Sequence, residues 1–242
     1  MKKLVLPEFK LKSQSFNNNK KTAAVFYYRT NDASVRPYLQ HFTKQYNKLQ
    51  NFFKVTPPPL EIRFIYTRAE MSLHWGRPAP RWLSGMVDND NQYLIYIYSP
   101  LVIAILTTEQ QSIIMPTIIH ETAHAFVTVL NERCFYWINE GICQYLEGKK
   151  VSHSLITEKN WHWFTAHNGL TNPDLSWREM VNHNGYAIAH RLAAFILKTR
   201  GKQAILQLIK IRRVLDQTII KKMEQIIGQQ LSTFLIQFKK TL

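Results

Sequence analysis

The chain of 242 residues has only two cysteines, Cys134 and Cys143, and few acidic side chains, 16 against 31 lysines and arginines. Two cysteines are too few for the disulfide framework of a small secreted domain. Because free cysteine is usually a small buried residue, we expect both to pack in the core rather than to bind metal. With 45% hydrophobic and 19% charged residues, the chain can form a sizeable core, and disorder is not expected.

The sequence also lacks an uninterrupted apolar run of about 18–20 residues, the length that crosses a bilayer as a helix. Near the N-terminus, Pro7 interrupts the apolar stretch after three residues, whereas a secretory signal has about 7–15 apolar residues there. We therefore expect no transmembrane segment and, by default, a cytoplasmic location. An envelope or secreted location stays open if the chain is a mature fragment.

The net charge of +15 is concentrated at the two ends of the chain. Residues 1–21 contain six lysines and one glutamate, and residues 198–242 contain ten lysines or arginines against two acidic residues. The first of these is predicted to be a basic, frayed segment. The second places its charges on one side of amphipathic helices, which is most simply a solvated face. The alternative is attraction to an anionic partner: a membrane surface, a cell-wall polymer or nucleic acid.

Patterns typical of strands come before patterns typical of helices. The predicted strands and first helix are residues 22–30, helix 35–53, strand 60–67, and a hairpin of 82–87 with 93–99. A long helix is then predicted over residues 107–131, followed by shorter helices. This order predicts an α+β fold, with one domain over residues 22–242. Its N-terminal lobe, about 22–116, contains a mixed sheet with an edge hairpin, and its mostly helical C-terminal lobe, about 117–242, begins in the long active-site helix.

The motif H-E-T-A-H occupies residues 120–124 of that long helix. Positions i and i+4 lie on one helix face, so His120 and His124 can hold one cation between their imidazoles. Glu121 lies beside them, where it can reach a metal-bound water. A catalytic zinc site needs a third ligand, and Glu140, sixteen residues after His124 on a second predicted helix, can supply it. Three ligands, an open position and a base are the components of a hydrolytic site with one Zn²⁺.

The motif H-E-x-x-H, followed by W-x-N-E-G and Y-L-E, resembles the gluzincin metallopeptidases, in particular the bacterial peptidase-MA-like domains. The likeness extends over most of the chain, including PRWLSGM before the motif and GYAIAHRLAAFILKTRG after it. The resemblance implies a two-lobed zincin-like fold, the zinc ligands His120, His124 and Glu140, and Glu121 as the catalytic base. It also implies that a peptide or protein substrate runs antiparallel to an edge strand, here residues 82–87.

Hydrolysis also needs a hydrogen-bond donor for the oxyanion. His183, Tyr186 and His190 are spaced i, i+3 and i+7, which places them on one face of a predicted helix. The resemblance favours Tyr186, and His190 is more commonly a packing residue. The side chains predicted to orient the metal ligands from outside are Asn139, Gln144, Glu147 and His190.

The sequence as a whole predicts a zinc-dependent peptidase. Two alternatives are a catalytically silent metallopeptidase-like binding module and a basic surface-binding protein with structural zinc. The intact Glu121 and a ligand set that includes a carboxylate disfavour both, since structural zinc sites are usually cysteine-rich and closed. Residues 85–89 depart from the exopeptidase signature by one inserted residue and a replaced glutamate, so cleavage within chains and cleavage at chain ends both stay open.

Overall fold

The computed structural model describes residues 11–18, 21–88, 90–108, 110–148, 156–166, 169–172, 175–212 and 218–242. Two compact units divide the chain after Ala125, within a helix. The elements of the first unit are β1 Leu11–Asn18, β2 Lys21–Arg29, α1 Arg36–Phe53, β3 Leu60–Ile65, α2 Arg68–Trp75, β4 Gly85–Val87, β5 Leu94–Tyr98, α3 Ile103–Leu106 and most of α4 Ile114–Leu130. The elements of the second are α5 Tyr136–Glu147, α6 Glu158–Ala166, α7 Trp177–Asn182, α8 Gly185–Ile209, α9 Thr218–Ile227 and α10 Leu231–Lys239.

A five-stranded mixed sheet with the order β1-β2-β3-β5-β4 organises the first unit. The three inner strands are parallel, and the outer strands β1 and β4 run antiparallel to their neighbours. A sheet followed by a mostly helical part confirms the predicted α+β class. It also confirms that the hairpin of β4 and β5 lies at one edge of the sheet.

The N-terminal segment differs from its prediction over the residues that are described. Leu11–Asn18 is a strand that pairs along β2, with a register shift between Phe16 and Asn17, rather than a frayed tail. Six of its eight residues are exposed, and the segment has no apolar alternation from which a strand could be predicted. Residues 1–10, 19 and 20 of the predicted segment lie outside the described residues.

Helix α1 covers one face of the sheet with a stripe of apolar side chains. Its buried residues recur at three- to four-residue intervals, as on one face of a helix: Leu39, Phe42, Tyr46, Leu49 and Phe53. The ring of Phe42 meets Phe26 of β2 edge-on, with centroids 4.9 Å apart, and Phe16 of β1 in the same way at 5.4 Å. These aromatic contacts hold the first two strands against the helix.

Helix α4 packs closely against the edge strand β4. A Cβ added to Gly85 would lie 2.6 Å from Cγ2 of Thr117 and 3.0 Å from the carbonyl oxygen of Tyr96. The hydroxyls of Ser84 and Thr117 are hydrogen-bonded at 3.0 Å. Because Thr117 precedes His120 by three residues, this contact fixes the edge strand beside the turn of α4 that carries the first motif.

Replacing Gly85 with alanine is therefore expected to lower the free energy of unfolding by about 1–3 kcal/mol, the usual cost of overpacking. Thr117→Ser removes Cγ2 but keeps the hydroxyl, so the double variant should regain part of that loss. Chemical denaturation of wild type, both single variants and the double variant measures the coupling. Simply additive losses would contradict the close contact.

The long motif helix begins later than predicted. Residues 107, 108 and 110 are not helical, a 3-10 turn covers Gln111–Ile113, and α4 follows. Within the described part of the chain, Gln111–Leu130 is the one helix that is long and apolar enough to cross a membrane. A core helix of a soluble protein passes the same test, so this finding is weak evidence for a membrane span.

In the second unit, α5 packs tightly on α8. A Cβ added to Gly141 would lie 2.4 Å from the carbonyl oxygen of Ala189, so the two backbones meet where only glycine fits. Helix α8 is interrupted at Gly201, whose φ of 79° is left-handed. The side-chain amide of Asn131 donates to the carbonyl oxygens of Ile209 and Ile211, at 2.8 and 2.9 Å. The turn after α4 is thereby tied to the end of α8.

One prediction about the core of this unit is confirmed, since Cys134 and Cys143 are free and buried. The aromatic side chains of Trp161, Trp163 and Phe164 are buried in the same unit.

Candidate metal centre

The two histidines of the first motif face each other across one turn of α4. The Nε2 atoms of His120 and His124 are 3.1 Å apart. Their rings meet edge to face, with centroids 4.8 Å apart and an interplanar angle of 81°. The i, i+4 spacing alone places both rings on the same side of the helix, so this arrangement follows directly from the sequence.

Glu140 of α5 completes a three-residue group with these histidines. The ligand atoms of His120, His124 and Glu140 all lie within 4.8 Å of one another. Glu140 is 8% exposed, His124 is 9% exposed, and His120 is partly buried. Helices α4 and α5 are connected by the short segment 131–135. The group could hold one metal ion.

The geometry of the group can be compared with that of a zinc site. Ligand atoms about 2.0–2.2 Å from a tetrahedral zinc lie roughly 3.3–3.5 Å from one another. The 3.1 Å between the histidine nitrogens is within a few tenths of an ångström of this value. The wider separations, up to 4.8 Å, would close by rotation of the side chains. Two imidazoles and a carboxylate are a ligand set of catalytic zinc sites, so these residues fit the ion.

Glu121 is in the same turn of α4 as the ligands, directly after His120, and is 8% exposed. A nearly buried carboxylate beside a metal group is suitably placed for proton transfer, whereas a solvated one would be in competition with bulk water. Its role as general base stays a prediction.

Tyr186 lies in a hydrogen-bonded pair that the sequence analysis did not anticipate. Its hydroxyl is 2.6 Å from that of Tyr136 on α5, and the two rings are nearly perpendicular, with centroids 6.1 Å apart. Glu140 follows Tyr136 by one helical turn on α5, and its carboxylate charge acts on the Tyr136 hydroxyl. Sequence reasoning missed Tyr136, although its position four residues before Glu140, on the same helix face, was an available signal.

The pKa of Tyr136 is raised far above its usual value near 10. Burial is the main cause, and the neighbouring Glu140 carboxylate and Tyr186 hydroxyl act in the same direction. Tyr136 therefore keeps its proton at physiological pH.

His183 does not share a helix face with Tyr186 and His190, which corrects the prediction for this trio. Helix α7 ends before His183, and Asn184 then adopts a left-handed conformation with φ of 51° before α8 starts. Because the helix is interrupted here, His183 does not continue the i, i+3, i+7 spacing of α8. Its ring is instead stacked on Trp163, with centroids 4.3 Å apart.

The remaining predicted residues are distributed along α5 and α8. The Asn139 side-chain oxygen lies 3.7 Å from the Cys143 sulfur, and the His190 ring packs near Tyr145, with centroids 6.3 Å apart. Gln144 is buried and Glu147 is half-buried. The orienting roles of these four predicted side chains (Asn139, Gln144, Glu147 and His190) stay predictions.

The predicted edge strand, residues 82–87, is shorter in the structure, where β4 covers Gly85–Val87. The Tyr98 amide donates to the Ser84 carbonyl, and the Asp88 amide donates to the Leu94 carbonyl. Because such pairs alternate along an antiparallel ladder, Gly85 and Val87 direct their amide and carbonyl groups away from β5. Among the described residues, no strand pairs with this margin of the sheet.

No protein-family model matches the chain, and no curated protein matches it.

Proposed function

We propose that this protein is a zinc-dependent peptidase of the gluzincin type. The observation that carries the proposal is the group formed by His120, His124 and Glu140, with the buried carboxylate of Glu121 next to the first ligand. A closed structural site would need four protein ligands and is usually rich in cysteine. This group offers three ligands, two histidines and a glutamate.

His120, His124 and Glu140 would hold the ion, which when bound lowers the pKa of water towards about 7 and polarises a carbonyl group. Glu121 takes the proton of the attacking water and returns it to the leaving amine. Tyr186 is the proposed hydrogen-bond donor to the oxyanion. The near-burial of Glu121 limits exchange of that proton with solvent between the two transfers.

The outer margin of β4 is the proposed binding site for the substrate backbone. An extended peptide can add to a sheet edge through main-chain hydrogen bonds, with little dependence on its side chains. Gly85 and Val87 supply the outward amide and carbonyl groups for such pairing. The contact of Gly85 with Thr117 places this margin beside the helix that carries Glu121.

Metal content and peptide cleavage together test the proposal. We expect about one zinc per chain by elemental mass spectrometry, and cleavage of a mixed peptide library that stops on chelation and returns when zinc is restored. A protein that holds one zinc but cleaves no peptide would support the silent binding module instead. Absence of zinc from carefully prepared protein would remove the basis of the proposal.

A second proposed activity is attraction to an anionic surface through the end of α8 and the start of α9. A cavity of about 520 Å³ there is lined by Lys210, Arg212 and Lys222, together with glutamine and isoleucine side chains, and its described lining contains no acidic residue. Several cations around one concave surface attract phosphate-bearing partners. This face would bring the peptidase close to a membrane or another polyanion.

Replacing Lys210, Arg212 and Lys222 with glutamine is expected to weaken binding to anionic lipid vesicles at least about tenfold, because each basic residue near such a surface contributes about 1 kcal/mol. Co-sedimentation with phosphatidylglycerol vesicles at low and high salt measures the effect. The matched control replaces three exposed lysines of the first unit, Lys44, Lys48 and Lys54. Equal losses for both triple variants would show that net charge alone, and not this face, governs binding.

A further inference from the structure

We propose that the cavity between the end of α8 and α9 is a binding site for one anionic amphiphile with a single apolar chain, such as an alkyl phosphate. The inference rests on the anion attraction proposed for this face, and it names the ligand that the face takes. It does not depend on the metal site. The observations that carry it are the volume of the cavity, about 520 Å³, and the combination of cationic and isoleucine side chains in its lining.

The isoleucines give the cavity an apolar part. Ile211 and Ile219 are 8% and 3% exposed, and Ile226 is half-buried. Ile219 and Ile226 are seven residues apart on α9, so they lie on one face of that helix. A cavity of this volume is within the range of about 300–1,000 Å³ that is usual for sites of small molecules. It is therefore large enough to bury an apolar chain.

The cations give the same cavity a charged part. Lys210, Arg212 and Lys222 belong to its lining, and all three residues are exposed. Lysine and arginine can place their methylene stems along apolar surface while their charged groups stay in water. An apolar chain in the cavity and an anionic group at its rim can therefore be bound together.

The acidic side chain of α9 does not oppose this charge from within the cavity. Glu224 follows Lys222 by two residues, and residues with that spacing do not face the same side of a helix. Its carboxylate instead accepts a hydrogen bond from the Leu231 amide at the start of α10, at 2.9 Å. The uncharged polar residues of the lining, Gln207 and Gln225, have amide groups that can donate to an anion.

The combination of the two parts decides which ligand is favoured. Cations alone would attract any polyanion, and isoleucines alone would favour any apolar molecule. Each methylene that a ligand buries raises its binding constant about fourfold. Chain length has no effect on the attraction between charges, so it separates a ligand that enters the cavity from one that only meets the charged rim.

The test is isothermal titration calorimetry of the full chain with three ligands below their micellar concentrations: octyl phosphate, butyl phosphate and octyl glucoside. Octyl phosphate is expected to bind at least about tenfold more tightly than butyl phosphate, because four further methylenes are available for burial. It should also bind at least about tenfold more tightly than octyl glucoside, which has the same chain but no charge for the cations to attract.

Gln207→Trp is the variant that separates the cavity from the charged face. The indole fills the space for the chain without changing any charge, so octyl phosphate should bind at least about tenfold more weakly. Binding to phosphatidylglycerol vesicles, which depends on the cations, should stay within about twofold of wild type. Gln203→Trp is the matched control, because Gln203 is an exposed residue one turn earlier on α8 and outside the described lining.

The inference is overturned if octyl phosphate binds no more tightly than butyl phosphate or octyl glucoside, or if Gln207→Trp binds it as wild type does. Circular dichroism verifies folding, and should Gln207→Trp not fold, Gln225→Trp, which fills the cavity from α9, is subject to the same criteria. Vesicle binding without octyl phosphate binding overturns this inference and leaves the proposed anion attraction intact. Absence of both removes the two together.

Discussion

Glu121→Gln is expected to lower kcat about 10²- to 10⁴-fold, the contribution typical of a general acid–base residue, while zinc content stays at about one per chain. Glutamine occupies nearly the same volume as glutamate and cannot accept the proton of the attacking water. Because Glu121 is outside the group formed by His120, His124 and Glu140, its replacement leaves the ligand set complete. Peptide cleavage and elemental analysis of the same protein sample measure both quantities.

The size and type of the kinetic change distinguish this role from others. Loss of a base acts in the transition state, so kcat and kcat/KM should fall together while KM changes little. Glu121→Asp keeps the carboxylate but retracts it by one methylene, and should have intermediate activity. A glutamine variant that cleaves at the wild-type rate would remove Glu121 from the mechanism. Loss of zinc in that variant would instead assign Glu121 a structural part in the site.

Glu140→Ala should have the second large effect, on metal content rather than on turnover alone. Removing an outer partner of a metal ligand already weakens binding about 10- to 100-fold, so loss of a ligand itself should exceed about 100-fold. We expect the purified variant to contain little zinc and to be inactive at ordinary zinc concentrations. Elemental mass spectrometry and chelator competition measure the two losses.

The control for this variant is Glu132→Ala, which removes an exposed glutamate from the turn that connects the two helices. It should keep its zinc and its activity. Full zinc content in Glu140→Ala would mean that the two histidines bind the ion with some other third ligand.

The structure agrees with the fold predicted from the sequence wherever the spacing of apolar residues reflects which side chains are buried. The spacing of Phe42, Tyr46 and Phe53 predicted α1 because that stripe covers the sheet. Strand β1 was missed because its outward side chains have no such pattern, and it is ordered instead by backbone pairing with β2. The late start of α4 was also missed, because composition and spacing do not define the first residue of a helix to within a few positions.

The metal group was predictable to a similar degree. That His120 and His124 share one helix face follows from their spacing alone. The placement of Glu140 beside them depends on the packing of α5 against α4, which the spacing does not determine. The spacing of Tyr136 from Glu140 was a signal in the sequence, but its pairing with Tyr186 depends on how α5 packs on α8 and was not predictable. His183 was misplaced because the left-handed Asn184 breaks the helical repeat on which the prediction was based.

The order of the sheet has a consequence for self-association. A sheet whose outer strands are β1 and β4 has two margins at which another copy could add a strand and begin edge-to-edge polymerisation. The margin at β1 is interrupted by the register shift after Phe16 and carries the exposed charge of Lys12, both of which discourage pairing. The margin at β4 is only three residues long. This length is enough to bind an extended peptide transiently but too short to nucleate a growing sheet.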